Sequence, residues 1–153
     1  MIVLGIDPGI KNIGVALINT EGPLLLHSAW NHDGVEFKWP LSGLSIPSLI
    51  VVERPVGFAK AAGQMIKVAF NAGYLLARFQ MIYPGSEGKM AEAGRNGWQK
   101  FYGRDFDPRW KCEELFGSEK TTSLSAHEID AALMGYAAAM KLDSKTSHLG
   151  GVK

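Results

Sequence analysis

A chain of 153 residues with 46% hydrophobic and 20% charged side chains has the make-up of one ordinary globular domain, which excludes a fibrous or natively disordered protein. Sixteen Lys and Arg stand against fifteen Asp and Glu, a formal net charge of +1, so no polybasic composition announces a polyanionic partner. A single cysteine, Cys112, rules out an internal disulfide and a zinc site built on several thiolates. The apolar start, residues 1–6, meets Asp7 without basic flanks, and residues 131–140 fall short of the roughly 20 apolar residues that span a bilayer. Neither a signal peptide nor an anchor is expected, and the expected location is the reducing cytoplasm.

In chain order, strands are predicted over residues 2–6, 14–18 and 24–30, broken at Asp7-Pro8-Gly9 and across residues 19–23, as a three-strand meander. Residues 31–48 carry Gly34, Pro40, Gly43 and Pro47 and fit no helical period, so an irregular connection is expected there. Leu49 through Val52 is a wholly apolar run, the pattern of a strand buried on both faces, and Glu53 and Pro55 end it. From about residue 59 to residue 79, Ala62, Ile66, Ala69, Gly73, Leu76 and Ala77 recur at the helical period and predict a long helix packed on the sheet. Residues 79–83 read as a further strand stopped by Pro84-Gly85, followed by a polar loop to Gly97 and short amphipathic pieces over residues 98–102 and 108–116. A helix is predicted over residues 126–142, with Ile129, Leu133, Tyr136, Ala137 and Met140 on one face and a Ser125-x-x-Glu128 capping box at its start. The chain thus reads as a single domain, residues 1–142, with a flexible tail over residues 143–153.

The net charge conceals an asymmetry. Residues 1–53 hold two basic and five acidic groups (−3), residues 54–111 ten and four (+6), and residues 112–153 four and six (−2), which sum to +1. In the basic middle, Lys60, Lys67, Lys89, Arg95, Lys100, Arg104, Arg109 and Lys111 are interleaved with Phe58, Trp98, Phe101, Tyr102 and Trp110. Cations hold phosphates and aromatic faces stack on exposed bases, so the mixture suits nucleic acid; solvated cations around core aromatics are the plainer alternative.

Four side chains with metal-ligand chemistry stand at the ends of predicted elements: Asp7 after the first strand, Glu53 after the apolar strand, and His127 and Asp130, three residues apart, in the first turns of the capped helix. Three carboxylates and an imidazole suit a hard cation such as Mg²⁺ or Mn²⁺, and a pair of such ions can activate water and stabilise a leaving oxygen. Taken singly, Asp7 is equally a turn former, Glu53 a surface charge, and His127 and Asp130 ordinary polar residues of an early helical turn. Glu128 is explained by capping alone.

The segments Gly5-Ile6-Asp7-Pro8-Gly9 with Gly14-Val15-Ala16, Val51-Val52-Glu53-Arg54-Pro55 and His127-Glu128-Ile129-Asp130-Ala131-Ala132 together resemble, in the same order, the motif series of RuvC-type Holliday-junction resolvases. The match spans nearly the whole chain, and Trp98-Gln99-Lys100 with Lys111 downstream is similar to the basic region of compact, phage-type members. The resemblance implies an α/β, RNase H-like nuclease domain. Its mixed five-stranded sheet has the first three strands antiparallel and helices on its faces. It implies a homodimer that resolves four-way branched DNA by phosphodiester hydrolysis, with two Mg²⁺ or Mn²⁺ ions per site. By matching position, Asp7, Glu53 and Asp130 become metal-binding acids and His127 the fourth ligand. Phe58 becomes a candidate wedge in the junction and Lys100 and Lys111 candidate phosphate contacts; Lys60 and Lys67 of the basic middle segment are further candidate DNA contacts by charge. One departure stands out, because relatives carry a full helix between the third and fourth strands where this chain has residues 31–48, so that helix is expected to be reduced or missing. Rival readings are a catalytically silent junction-binding protein of the same fold and a related nuclease acting on RNA or other branched DNA. An actin-like ATPase is disfavoured because the chain has no room for a second nucleotide-binding domain.

Overall fold

A computed structural model describes residues 1–9, 12–22, 24–31, 46–56, 62–93, 97–103 and 105–149. Five strands, β1 (Ile2–Pro8), β2 (Asn12–Asn19), β3 (Leu24–Asn31), β4 (Leu49–Arg54) and β5 (Glu87–Glu92), form one mixed sheet in the order β3-β2-β1-β4-β5. The β1–β2 and β2–β3 pairs are antiparallel, while β4 runs parallel to both β1 and β5. The predicted meander and the buried position of β4 are therefore present. Residues 32–45, where a helix is expected to be missing, lie outside the described residues.

Side chains alternate across the sheet because the strand period is two, and this alternation builds two apolar layers. Leu4, Ile6, Val15, Leu17, Ile50 and Val52 meet Ala72, Leu75 and Phe79 of helix α1 (Ala62–Ile82) on one face. Val3, Ala16, Ile18, Leu49 and Val51 meet Ile129, Leu133, Met134 and Ala138 of helix α4 (Ala126–Leu149) on the other. Helix α2 (Pro108–Phe116) completes the second layer through Cys112 and Phe116, and the short helix α3 (Ser118–Thr121) leads to Leu124, which joins the same cluster. Being covered on two sides, α4 buries almost its whole central circumference, which is why its middle is so rich in alanine. Among the described residues no helix is long and apolar enough to cross a membrane.

Four expectations are corrected. Residues 79–83 are not a strand: α1 continues to Ile82, because Ala72, Leu75, Phe79 and Ile82 keep the helical spacing. The fifth strand lies instead in the stretch expected to be a polar loop. Tyr83-Pro84-Gly85, with Gly85 at φ 99°, reverses the chain into β5. That strand is at the sheet edge and half exposed, so Glu87, Lys89 and Glu92 replace the apolar alternation that would have marked it. The buried face of α1 also differs from the predicted one: Ala72, Leu75 and Phe79 face the sheet, whereas Ile66 is 69% exposed and Ala69 and Ala77 point outward. Finally, α4 runs through Leu149 where its end was expected at Leu142.

Phe79→Ala is expected to cost about 3–5 kcal/mol of unfolding free energy, and Phe70→Ala on the outer face of the same helix under about 0.5 kcal/mol, measured by urea denaturation at low protein concentration.

Candidate active site

The sheet register brings the first two acids together. Ile6 pairs with Val52 in parallel, so Asp7 and Glu53 are the next residues along neighbouring strands, on the face that α4 covers. Asp7 is 7% exposed because it stands near the end of a central strand beneath a helix. Its carboxyl group lies beside that of Glu53.

Two glycines bring α4 to the same point. A Cβ on Gly14, which pairs with Asp7 across β1 and β2, would lie 2.1 Å from the backbone carbon of His127; one on Gly5 would lie 1.9 Å from the Ala131 carbonyl oxygen. Helix and sheet therefore touch backbone to backbone here, and the approach sets His127 and Asp130 over the strand ends. The expected capping box is formed: the Ser125 backbone N–H and hydroxyl donate to Glu128 Oε2 at 2.8 and 2.6 Å, and the Glu128 N–H returns a bond to Ser125 Oγ. Glu128 is thereby committed to the helix start. His127 Nδ1 donates to Asp7 Oδ2 at 2.5 Å, and Trp98 Nε1 donates to Glu53 Oε1 at 2.7 Å.

Burial raises all three acids. Glu53 is pushed up to about 7, chiefly by desolvation and further by the charges of Asp7 and Asp130, against the opposing hydrogen bond from Trp98. Asp130 is pushed up to about 6 by desolvation and by Asp7. Asp7 is raised by desolvation, with His127 and Glu53 pulling the other way. Three acids in mutual electrostatic contact, one buried and two half-buried, and all inclined to hold protons, form a place where positive charge is wanted.

The donor set fits a hard divalent cation, being mostly carboxylate oxygen. Among the described residues no group of three His, Cys, Asp or Glu side chains stands close enough to hold a metal ion. Mg²⁺ does not require such a group, since it usually keeps several waters and takes one or two carboxylates plus substrate phosphate.

The basic and aromatic residues divide. Phe58 and Lys60 lie outside the described residues. Lys67 is exposed on α1, on the sheet face opposite α4, and Lys100 is exposed in the short 3₁₀ helix Trp98–Phe101. Lys111 is engaged with both oxygens of Glu114 on its own helix, at 3.0 and 2.9 Å, and lies over the Trp110 ring. Trp98, grouped by sequence with aromatics that stack on bases, is 3% exposed and bonded to Glu53, so it has no free face for a base. Sequence reasoning missed that contact because 45 residues separate the partners.

Gly14→Ala is expected to destabilise the fold by roughly 1–3 kcal/mol, read by urea denaturation, because the new methyl group must push α4 off β2. The raised acids set a pH dependence whose sign is fixed. Their stabilising contribution is fully present below the ordinary values of 3.8 and 4.5 and is lost as pH rises through about 6 for Asp130 and about 7 for Glu53. In EDTA, the melting temperature is expected to fall between about pH 5 and pH 8 by roughly 3 °C more in the unsubstituted protein than in Glu53→Gln, measured by scanning calorimetry.

Neither a protein-family model nor a curated protein sequence matches the chain. Solved structures do. Thermus thermophilus RuvC aligns with a TM-score of 0.71 at 20% identity, covering 95% of this chain and 98% of that one. The T. thermophilus RuvC structure in complex with Holliday junction substrate gives 0.70 at 19% identity, over 94% and 96% of the two chains. The Fowlpox virus resolvase in complex with Holliday junction DNA aligns at 15% identity over 97% and 99% of the chains, with a TM-score of 0.39 that bears on nothing further. Strand order, the two helical layers and near-complete coverage agree: the chain has the α/β, RNase H-like fold of RuvC-type resolvases.

Proposed function

We propose that the protein is a metal-dependent endonuclease that resolves four-way and related branched DNA by phosphodiester hydrolysis. The observation that carries this reading is the gathering of Asp7, Glu53, His127 and Asp130 at the ends of β1 and β4 beneath the start of α4, in electrostatic contact with one another. A fold shared with a RuvC solved on Holliday junction substrate supports the choice of DNA.

In this reading Asp7, Glu53 and Asp130 hold two Mg²⁺ or Mn²⁺ ions, and His127 serves as a further ligand or carries a proton. When bound, such ions supply an activated water and stabilise the departing 3′ oxygen. The chain's own part is to gather the acids in advance and to exclude bulk water from Asp7 beneath α4. Lys67, Lys100 and Lys111 are proposed DNA contacts, Lys111 by exchanging Glu114 for a phosphate.

A junction has two symmetry-related strands to cut, and we place a homodimer on it. Its support is an outer face of α1 on which Ile66, Phe70, Tyr74 and Met81 are between 51% and 83% exposed, an apolar stripe at helical spacing that a second copy would cover.

Asp7→Asn is expected to abolish cleavage of a synthetic four-way junction in Mg²⁺ while leaving junction binding within about threefold in a gel-shift assay in EDTA. The unsubstituted protein should place paired, symmetric nicks in the junction and leave linear duplex intact. Full activity of Asp7→Asn overturns the reading, and junction binding with no cleavage in Mg²⁺ or Mn²⁺ points to a silent binding protein of the same fold.

A further inference from the structure

We infer that Trp98 is a positioning residue for the candidate cation site, its buried indole N–H holding the Glu53 carboxylate in the orientation that receives a divalent ion. The inference rests on the reading of Asp7, Glu53, His127 and Asp130 as ligands.

An indole has one donor and no acceptor, and here that donor is spent on Glu53 Oε1 at 2.7 Å. One carboxylate oxygen is thus fixed, and the group as a whole is held beside Asp7, with which it would share a cation. The ring cannot drift away from this bond. It meets Tyr102 edge-on at 6.2 Å and Phe106 at 6.4 Å between centroids, and the Tyr102 hydroxyl donates to the Leu133 carbonyl of α4 at 2.6 Å. A continuous set of contacts therefore runs from the acid on β4, through the 3₁₀ helix, to the helix that carries His127 and Asp130. This fixes the spacing between ligands from two elements far apart in sequence. Ligating carboxylates are commonly oriented by such an outer hydrogen bond, and its loss typically weakens metal affinity or activity about 10- to 100-fold.

Trp98→Phe keeps an aromatic ring and removes the N–H. Calorimetric titration of the full chain with Mn²⁺, without DNA, is expected to show binding weakened about tenfold or more in this variant, with circular dichroism unchanged. Unchanged affinity in the folded variant overturns the inference. A second measurement needs no substitution in the protein under test. In the unsubstituted chain labelled with fluorotryptophan, the fluorine resonance of Trp98, assigned by its absence from Trp98→Phe or by selective relaxation, should move as Mg²⁺ binds, because the cation draws charge from the carboxylate that the indole contacts. A Trp98 resonance that stays fixed at calorimetric saturation overturns the inference even if Trp98→Phe does not fold. Failure of the ligand reading looks different: there Asp7→Asn binds Mn²⁺ as well as the unsubstituted protein, or neither binds it.

Discussion

The closeness of α4 to β1 and β2 is the constraint on which the rest of the structure depends. Gly5 and Gly14 leave no side chain between strand and helix backbones, and a single methyl group at either would overlap the helix at His127 or Ala131. Because the helix lies this low, its first turns reach the row where Asp7 and Glu53 end their strands. The Ser125–Glu128 capping box fixes where those turns begin, and hence which residues of the helix occupy that row. Packing of small residues and placement of chemistry are the same event here.

The electrostatic cost of that arrangement shows in the acids. Asp7, Glu53 and Asp130 are all raised, first by desolvation and then by one another, so the protein keeps together groups that repel when ionised. Such clusters persist where something else makes them worth keeping, and function is the usual reason. The neighbours are consistent with it: His127 and Trp98 each supply a hydrogen-bond donor to one carboxylate, which orients the group. The near-zero net charge takes on a different meaning as well. A basic middle segment and acidic ends nearly cancel in the sum, and the acidic ends contribute the clustered carboxylates.

Much of the fold was legible because the relevant signals are local. The apolar run at Leu49 to Val52 marked a strand buried on both faces, the breaks after Ile6 and Ile18 marked the meander, and the Ser-x-x-Glu spacing marked the start of α4. The failures have a common cause. β5 is an edge strand whose side chains are half in solvent, so it carries no apolar alternation, and the end of α1 is rich in bulky apolar residues that suit either a strand or a helix. On α1 two apolar faces compete, one against the sheet and one outward through Ile66, Phe70 and Met81, and periodicity alone does not rank them.

The sequence by itself determined the kinds of groups available, their order, and the elements whose ends they occupy, since these follow from spacing, turn chemistry and capping. It also carried the resemblance to RuvC-type resolvases, which the fold bears out. Only the tertiary structure decided which groups meet. Glu53 and Trp98 are 45 residues apart and His127 and Asp7 are 120 apart, and their contacts depend on sheet register and helix height rather than on any local pattern. The same holds for burial, which turned Trp98 from a base-stacking candidate into a partner of Glu53 and raised three ordinary carboxylic acids together, because desolvation belongs to the packed molecule and not to the residue.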